Sequence, residues 1–275
     1  MFKLPQKLLL EVTARCNYHC PFCYCVWHEN PQLIQDELDT DSWIEIIDEC
    51  ARRGVNDITF TGGEATLRDD IWLLIEHATR ALPIGKIALF TNGSKMTEER
   101  IKWCREKMIR VGTSLQGLRT YGRQTGTRRT YTKPLSFIAR GAELHWPIDV
   151  SITVSKINLP EIADVYSAAV LAHASTIQLN PTMVEGKLRS HPELALTPAE
   201  WKEVKETIGK IPDGGVPRFF SDEIICKCRF QPSFLQEKFG IENHGPCPAG
   251  ESFGVIGPSG LFRKCLHTVE NLEWR

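Results

Sequence analysis

The chain has 275 residues, a net charge of −1, 42% apolar and 24% charged residues. That supports a sizeable core and excludes both a general basic field for nucleic acid and an acidic tail. No run approaches the ~20 apolar residues of a membrane span, and no nucleic-acid or membrane partner is expected.

The opening MFKLPQKLLLEV is interrupted by Glu11 and lacks a small-residue cleavage site, so it reads as a first strand rather than a signal peptide. A cytoplasmic location follows as an expectation, and there thiols stay reduced. Short apolar runs at 8–13, 57–61, 86–91, 109–114, 148–154 and 176–180 predict strands. Their nearly continuous apolar character predicts burial on both faces, as in a parallel sheet.

Helical patterns lie between these runs. Ile71, Leu74, Ile75 and Ala78 share one face of a helix predicted over 69–81. Ile162, Val165, Tyr166, Ala169 and Val170 do the same later. Thr97 is placed to cap a helix that begins with Glu98 and Glu99, and Thr197-Pro198-Ala199-Glu200 reads as a capping box. Strands alternating with helices predict an α/β fold with right-handed crossovers and a site at the C-terminal strand ends. A barrel and a doubly wound sheet both satisfy the pattern. After about residue 210 the segment IPDGGVP breaks the alternation.

Ten cysteines punctuate this order. Cys50 and Cys104 sit singly in helical stretches and read as small buried apolar residues. The segment CNYHCPFCYC groups Cys16, Cys20, Cys23 and Cys25 just beyond the first strand. In a reducing compartment such grouping favours metal or redox chemistry. A structural zinc ion asks for four ligands, whereas an iron–sulfur cube held by three leaves one iron open for a small molecule. Cys25, one residue beyond Cys23, has little reach around a cube.

Cys16-x3-Cys20-x2-Cys23 with Phe22 before the third cysteine resembles the radical S-adenosylmethionine (SAM) enzymes. Thr61-Gly62-Gly63-Glu64 at the second strand end, Thr91-Asn92-Gly93 at the third and Ser114-Leu115-Gln116-Gly117 at the fourth resemble that family's strand-end motifs in order and position. Ala65 stands where the family often has proline, and Gln116 where it often has aspartate. The resemblance covers roughly residues 8–180 and implies a partial (β/α)6 TIM barrel, open on one side. It implies that Cys16, Cys20 and Cys23 hold a [4Fe–4S] cluster whose open iron takes the amino and carboxylate groups of SAM. One-electron cleavage then yields a 5′-deoxyadenosyl radical, with the protein supplying position and shelter. Phe22, Gly62, Gly63, Glu64, Asn92 and Ser114 are the implied cofactor-facing residues. The glycines are expected to let backbone approach the ligand, and Glu64 to accept a hydrogen bond from the methionyl ammonium.

Cys226, Cys228, Cys247 and Cys265 form a second group. The Cys247…Gly260…Cys265 spacing resembles the opening of SPASM and Twitch extensions. CPAGESFGVIGPSGLFRKC reads as a β-hairpin turning at Gly-Pro-Ser-Gly. The expected organisation is a core at residues 1–196 and a small cysteine-rich Twitch-like extension at 197–275. With the chain ending shortly after Cys265, one auxiliary [4Fe–4S] cluster is expected. Cys247 and Cys265 are its safest ligands, completed by Cys226 and Cys228. If Cys226 or Cys228 is not a ligand it becomes a candidate hydrogen-atom donor. Cys25 is a weaker one. Four cysteines also suit zinc.

From Leu118 to Lys133 the chain carries Arg119, Arg123, Arg128, Arg129 and Lys133 and no acid. By the resemblance Arg123 or Arg128 holds the SAM carboxylate. The remaining charge is expected to attract an acidic or phosphorylated substrate.

The leading expectation is hydrogen abstraction from a peptide or protein, giving a cross-link, an oxidation or an epimerisation. A small-molecule dehydrogenase or cyclase is the alternative, and a zinc-stabilised module without catalysis a distant third. Flavodoxin or ferredoxin is the expected electron donor. With the first strand so near the start, no separate N-terminal recognition domain is expected, which weakens the peptide expectation or implies a separate peptide-carrier protein.

Overall fold

The computed structural model describes residues 3–34, 36–221, 249–269 and 274. The strands are β1 (Lys7–Glu11), β2 (Asp57–Thr61), β3 (Ile87–Thr91), β4 (Arg110–Ser114), β5 (Asp149–Val154), β6 (Thr176–Pro181), β7 (Arg218–Phe220), β8 (Phe253–Ile256) and β9 (Phe262–Arg263). The helices are α1 (Thr40–Arg52), α2 (Ile71–Ala81), α3 (Glu98–Glu106), α4 (Tyr121–Thr125), α5 (Thr132–Glu143), α6 (Ile162–Leu171) and α7 (Pro198–Gly209).

Among the described residues the strands make one sheet, ordered β7-β6-β5-β4-β3-β2-β1-β8-β9. Neighbours are parallel from β7 through to β8, and only β8 and β9 run antiparallel. The first six strands follow chain order, so each crossover helix packs onto the same side of the sheet. The result is an α/β partial barrel, open rather than closed.

Each helix buries the face its sequence periodicity selects. In α1 these residues are Trp43, Ile46, Ile47 and Cys50, at helical spacing, and the Asp39 side chain caps the helix by accepting from the Ser42 amide. In α2 they are Ile71, Leu74, Ile75 and Ala78. Thr97 caps α3, and Thr197 with Glu200 forms the full capping box of α7. Cys50 and Cys104 are wholly buried, as expected of small apolar residues. One core lies between β1–β4 and α1–α3, and a second between β5–β6 and α5–α7. Each fully buried aliphatic side chain there contributes about 1.5–3 kcal/mol.

The strands are not buried alike on both faces. In β5 and β6 buried residues alternate with half-buried ones. Val150, Ile152, Val154, Ile177 and Leu179 lie in the helix-covered core. Ser151, Thr153, Gln178 and Asn180 point to the other face. Continuous burial was expected from the apolar runs; the open barrel instead leaves a polar inner face.

Beyond residue 210 the alternation does not stop, since α7 feeds β7 onto the β6 edge. Arg-Phe-Phe is too short and too exposed at Phe219, 53% accessible, to read as a strand from pattern. The hairpin expected around Gly257-Pro258-Ser259-Gly260 is formed by β8 and β9, with Gly260 at φ +79°. Its first strand pairs with β1, so the hairpin extends the sheet. Cys226, Cys228 and Cys247 lie outside the described residues.

Candidate active site

Because β1 to β6 are parallel, their C-terminal ends converge on one side. The loop after β1 carries Cys16, Cys20 and Cys23, all partly accessible, and none of the seven described cysteines is in a disulfide. Neighbouring strand ends grip this loop in turn.

From β2, Gly63 N–H donates to Thr13 O and Glu64 N–H to Arg15 O, each at 2.8 Å. A Cβ on Gly62 would stand 2.4 Å from Thr13 O, and one on Gly63 2.4 Å from Arg15 O. From sequence these glycines are expected to let backbone approach a ligand. They also admit the backbone at the base of the cysteine loop, which any side chain would push away.

Glu64 is 2% accessible. Its Oε1 accepts from the Thr66 amide (3.1 Å), the Thr66 hydroxyl (2.5 Å) and the Thr91 hydroxyl (2.6 Å). Its Oε2 accepts from the Asn92 amide at 2.6 Å. A carboxylate offers about four lone-pair sites, so Oε2, with one donor, keeps an acceptor site unused. Asn92 is committed locally. Its side-chain Nδ2 donates to Asn17 Oδ1 (2.8 Å), and its Oδ1 accepts from the Ser94 backbone N–H (2.9 Å). Asn17, between Cys16 and Cys20, also donates to the Ser94 hydroxyl at 2.8 Å. Asn17 was not singled out from sequence; its position inside the cysteine spacing is the only signal.

From β4, Ser114 is half-buried beside its register partner Ser151. Gln116 ties to β5 by accepting from the Thr153 amide at 2.8 Å. Helix α4 then closes on the loop: His19 N–H donates to Thr125 O (2.9 Å), and the Tyr18 and Tyr121 hydroxyls lie 3.0 Å apart. After β6, Lys187 N–H donates to Cys23 O at 2.9 Å, and a Cβ on Gly186 would lie 2.4 Å from the same oxygen.

The basic loop is less uniformly free than its sequence implies. Glu161, buried at the start of α6, accepts from the amides of Leu118 (2.9 Å), Arg119 (3.0 Å) and Thr120 (3.0 Å) and from the Thr120 hydroxyl (2.5 Å). Burial pushes its carboxyl up, but the Thr120 hydroxyl and these amides outweigh that and hold it below its usual value. Arg119 pairs with Glu161 at 3.4 Å and Asp164 at 3.5 Å. Lys133 donates to Ser94 O at 2.6 Å. Arg129 lies over the Tyr18 ring at 5.6 Å. Arg123 and Arg128 are exposed and form no hydrogen bond or ion pair with the described residues.

The thiols sense one another. Burial pushes Cys16 up, and it pushes Cys20 far up with a further push from Cys23 and Cys16. A hydrogen bond from Cys25 holds the Cys23 thiol well down. Cys25 itself is buried, its Sγ 4.0 Å from Gly62 O, which fits a packed thiol rather than a hydrogen-atom donor. Among the described residues no three His, Cys, Asp or Glu side chains gather around one metal-ion position. Sulfurs on one tetrahedral zinc stand about 3.8 Å apart. Three free, partly accessible cysteines on one loop supply one thiolate to each of three irons of a cube and leave the fourth iron without a protein ligand. The residues present therefore fit the cluster.

The radical SAM superfamily profile matches residues 10–169. The chain belongs to the radical SAM superfamily. Membership implies a [4Fe–4S] cluster and SAM. This radical SAM chain is 29% identical over 292 residues to a PqqA peptide cyclase of Bradyrhizobium diazoefficiens, covering 99% of the chain and 73% of that protein. It is 27% identical over 186 residues to the sporulation killing factor maturation protein SkfB of Bacillus subtilis, covering 67% of the chain and 44% of SkfB. Among solved structures, SuiB of Streptococcus suis bound to precursor peptide SuiA matches with TM-score 0.75 and 14% identity, over 96% of this chain and 60% of SuiB. SuiB bound to S-adenosylmethionine matches at 0.73, with the same 14% identity and the same 96% and 60% shares. At that identity the likeness speaks for the fold. The chain spans less than two thirds of the length of SkfB and SuiB. Among the described residues no helix is long and apolar enough to cross a membrane.

Proposed function

We propose that this chain is a peptide-modifying radical SAM enzyme. The observation that carries the reading is the cysteine loop after β1, gripped by Gly62–Glu64, Asn92–Ser94, α4 and Lys187. The similarity to a PqqA peptide cyclase along nearly the whole chain supports a peptide as substrate.

Cys16, Cys20 and Cys23 would hold the [4Fe–4S] cluster, with Glu64 Oε2 facing the methionyl ammonium of SAM. Arg123 or Arg128, each without a protein partner among the described residues, would take its carboxylate. Phe22, Asn92 and Ser114 would border the same ligand. When bound, cluster and SAM supply the 5′-deoxyadenosyl radical that removes a hydrogen atom from substrate. The polar inner face at Ser151, Thr153, Gln178 and Asn180 offers hydrogen bonds to a peptide backbone lying in the open barrel.

The region 197–275 would act as the Twitch-like extension, with one auxiliary [4Fe–4S] cluster on Cys265, Cys247, Cys226 and Cys228. Flavodoxin or ferredoxin would supply electrons, and a separate carrier protein would present the peptide. Anaerobic reaction with candidate peptides, read by product mass spectrometry, tests the reading. A mass change in a peptide, dependent on SAM and reductant, supports it; reaction only with a small molecule supports a dehydrogenase or cyclase instead. Running the reaction in D2O distinguishes chemistries. Deuterium at an inverted carbon indicates a thiol donor such as Cys226 or Cys228, whereas loss of two hydrogens without uptake indicates oxidation or cross-linking.

A further inference from the structure

Charge joins the first strand to the last. Glu11 ends β1 and Arg263 ends β9; both side chains are buried, and Arg263 Nη2 donates to Glu11 Oε2. The other arm of the guanidinium, Nη1, donates to Leu266 O at 3.3 Å and to Thr268 O at 3.1 Å. Those carbonyls lie just past Cys265, so one planar fork closes the turn that carries this cysteine and ties it to β1. A second contact runs alongside. The Tyr24 ring, next to Cys23, meets the His267 ring edge-on with centroids 5.6 Å apart, and His267 N–H donates to Cys265 Sγ at 3.5 Å.

Removing an ion pair from water costs more than burying apolar residues of the same volume. The burial is incompletely compensated here, because Glu11 Oε1 has no hydrogen-bond partner among the described residues. The pair is therefore a poor choice as a stabiliser. Its geometry does suit a shaping role, since a guanidinium reaches one carboxylate and two carbonyls in fixed directions, which neither an apolar side chain nor a lysine reproduces.

We propose that Arg263 is a positioning residue: it holds the Cys265 turn in ligating shape and fixes that turn, through Glu11, to the strand that carries the first cysteine loop. The inference rests on the reading of Cys265 as a ligand of a second cluster. It makes the two cysteine centres one mechanical unit, with Cys265 registered against Cys23 through β1 and Tyr24.

The test uses the full chain and three variants, Arg263→Met, Arg263→Lys and Cys265→Ala, each reconstituted anaerobically. Iron and acid-labile sulfide are counted, and in cluster-free samples the alkylation rate of every cysteine is followed by mass spectrometry. The wild type is expected to hold about eight irons and both Cys265→Ala and Arg263→Met about four, with the signal of the first cluster retained. In cluster-free Arg263→Met, Cys265 is expected to alkylate at least about tenfold faster, while buried Cys50 and Cys104 stay protected. If Arg263→Met exposes Cys50 and Cys104 it has unfolded, and Arg263→Lys decides. That variant keeps a charge for Glu11 but loses the fork, so it too should fall to about four irons with faster Cys265 alkylation. Full iron and unchanged Cys265 protection in the deciding variant, with Cys265→Ala depleted, overturns the role of Arg263 alone. Full wild-type iron in Cys265→Ala overturns the ligand reading, and the proposal with it.

Discussion

The carboxylate of Glu64 accepts a 2.6 Å hydrogen bond from the backbone amide of Asn92, so the end of β2 is tied to the end of β3 by a buried acid. The Thr91 hydroxyl, also at 2.6 Å, doubles the tie. Because Glu64 follows the two glycines that seat the cysteine loop, the side chain proposed for SAM recognition is also structural.

Glu64→Gln should therefore fail in two ways. An amide NH2 would face a hydroxyl or a backbone N–H already pointing at the carboxylate. Leaving such groups unsatisfied costs about 1–3 kcal/mol. Urea denaturation of the cluster-free protein should show that loss, and calorimetry on loaded protein should show weaker SAM binding. Unchanged stability would mean the hydrogen bonds drawn to Glu64 do not form.

Gly63→Ala should dislodge the cysteine loop, since its Cβ would meet Arg15 O at 2.4 Å and Ala14 O at 2.6 Å, with no flexible side chain to yield. Overpacking of this kind costs about 1–3 kcal/mol, and iron uptake should fall with it. Gly209→Ala is the matched control: nothing lies within 4 Å of the added carbon, and the site ends α7. It should leave iron content unchanged and raise stability by up to about 1 kcal/mol.

Glu161 gives a pH signature. Its folded-state carboxyl sits below the ordinary value of 4.5, so folding favours the ionised form. That contribution is complete above about pH 4.5 and is lost as pH falls through the lowered folded value. Glu161→Gln should be less stable than wild type at pH 7, by about 1–3 kcal/mol for the amides left poorly paired at 118–120. The gap should narrow on acidification. Urea midpoints from pH 7 down to pH 3 check it; a gap that widens in acid would reverse the assignment.

Much of the fold could be read from the chain because its signals are local. The apolar runs of β1 to β6 and the helical spacing of Ile71, Leu74, Ile75 and Ala78 each declare themselves within a few residues. The cysteine spacing, GGE and TNG were legible for the same reason. What stayed hidden depends on partners far away in sequence. Glu161 serves amides more than forty residues earlier, and Glu11 finds Arg263 252 positions later. The hairpin at 253–263 was readable from its turn, but its docking on β1 was not, because edge pairing leaves no periodic trace. The packing of Gly62 and Gly63 against the backbone of residues 13–15 was not legible, because a sequence shows that backbone comes close, not which backbone.

Charge at the mouth should be measurable through salt. Arg119 is paired with Glu161, whereas Arg123, Arg128 and Arg129 are exposed, so Arg128 and Arg129 are two of the arginines free to act on an acidic substrate. Arg128→Gln combined with Arg129→Gln should weaken binding of an acidic peptide and flatten its dependence on ionic strength. Equal salt slopes in variant and wild type would remove electrostatic steering from the account.

The most direct test is the fate of SAM. Anaerobically reconstituted, chemically reduced protein should convert SAM to 5′-deoxyadenosine and methionine, slowly even without substrate, and Cys16→Ala, Cys20→Ala and Cys23→Ala should each abolish it. Fully cluster-loaded, reduced wild-type protein that leaves SAM intact would contradict the account.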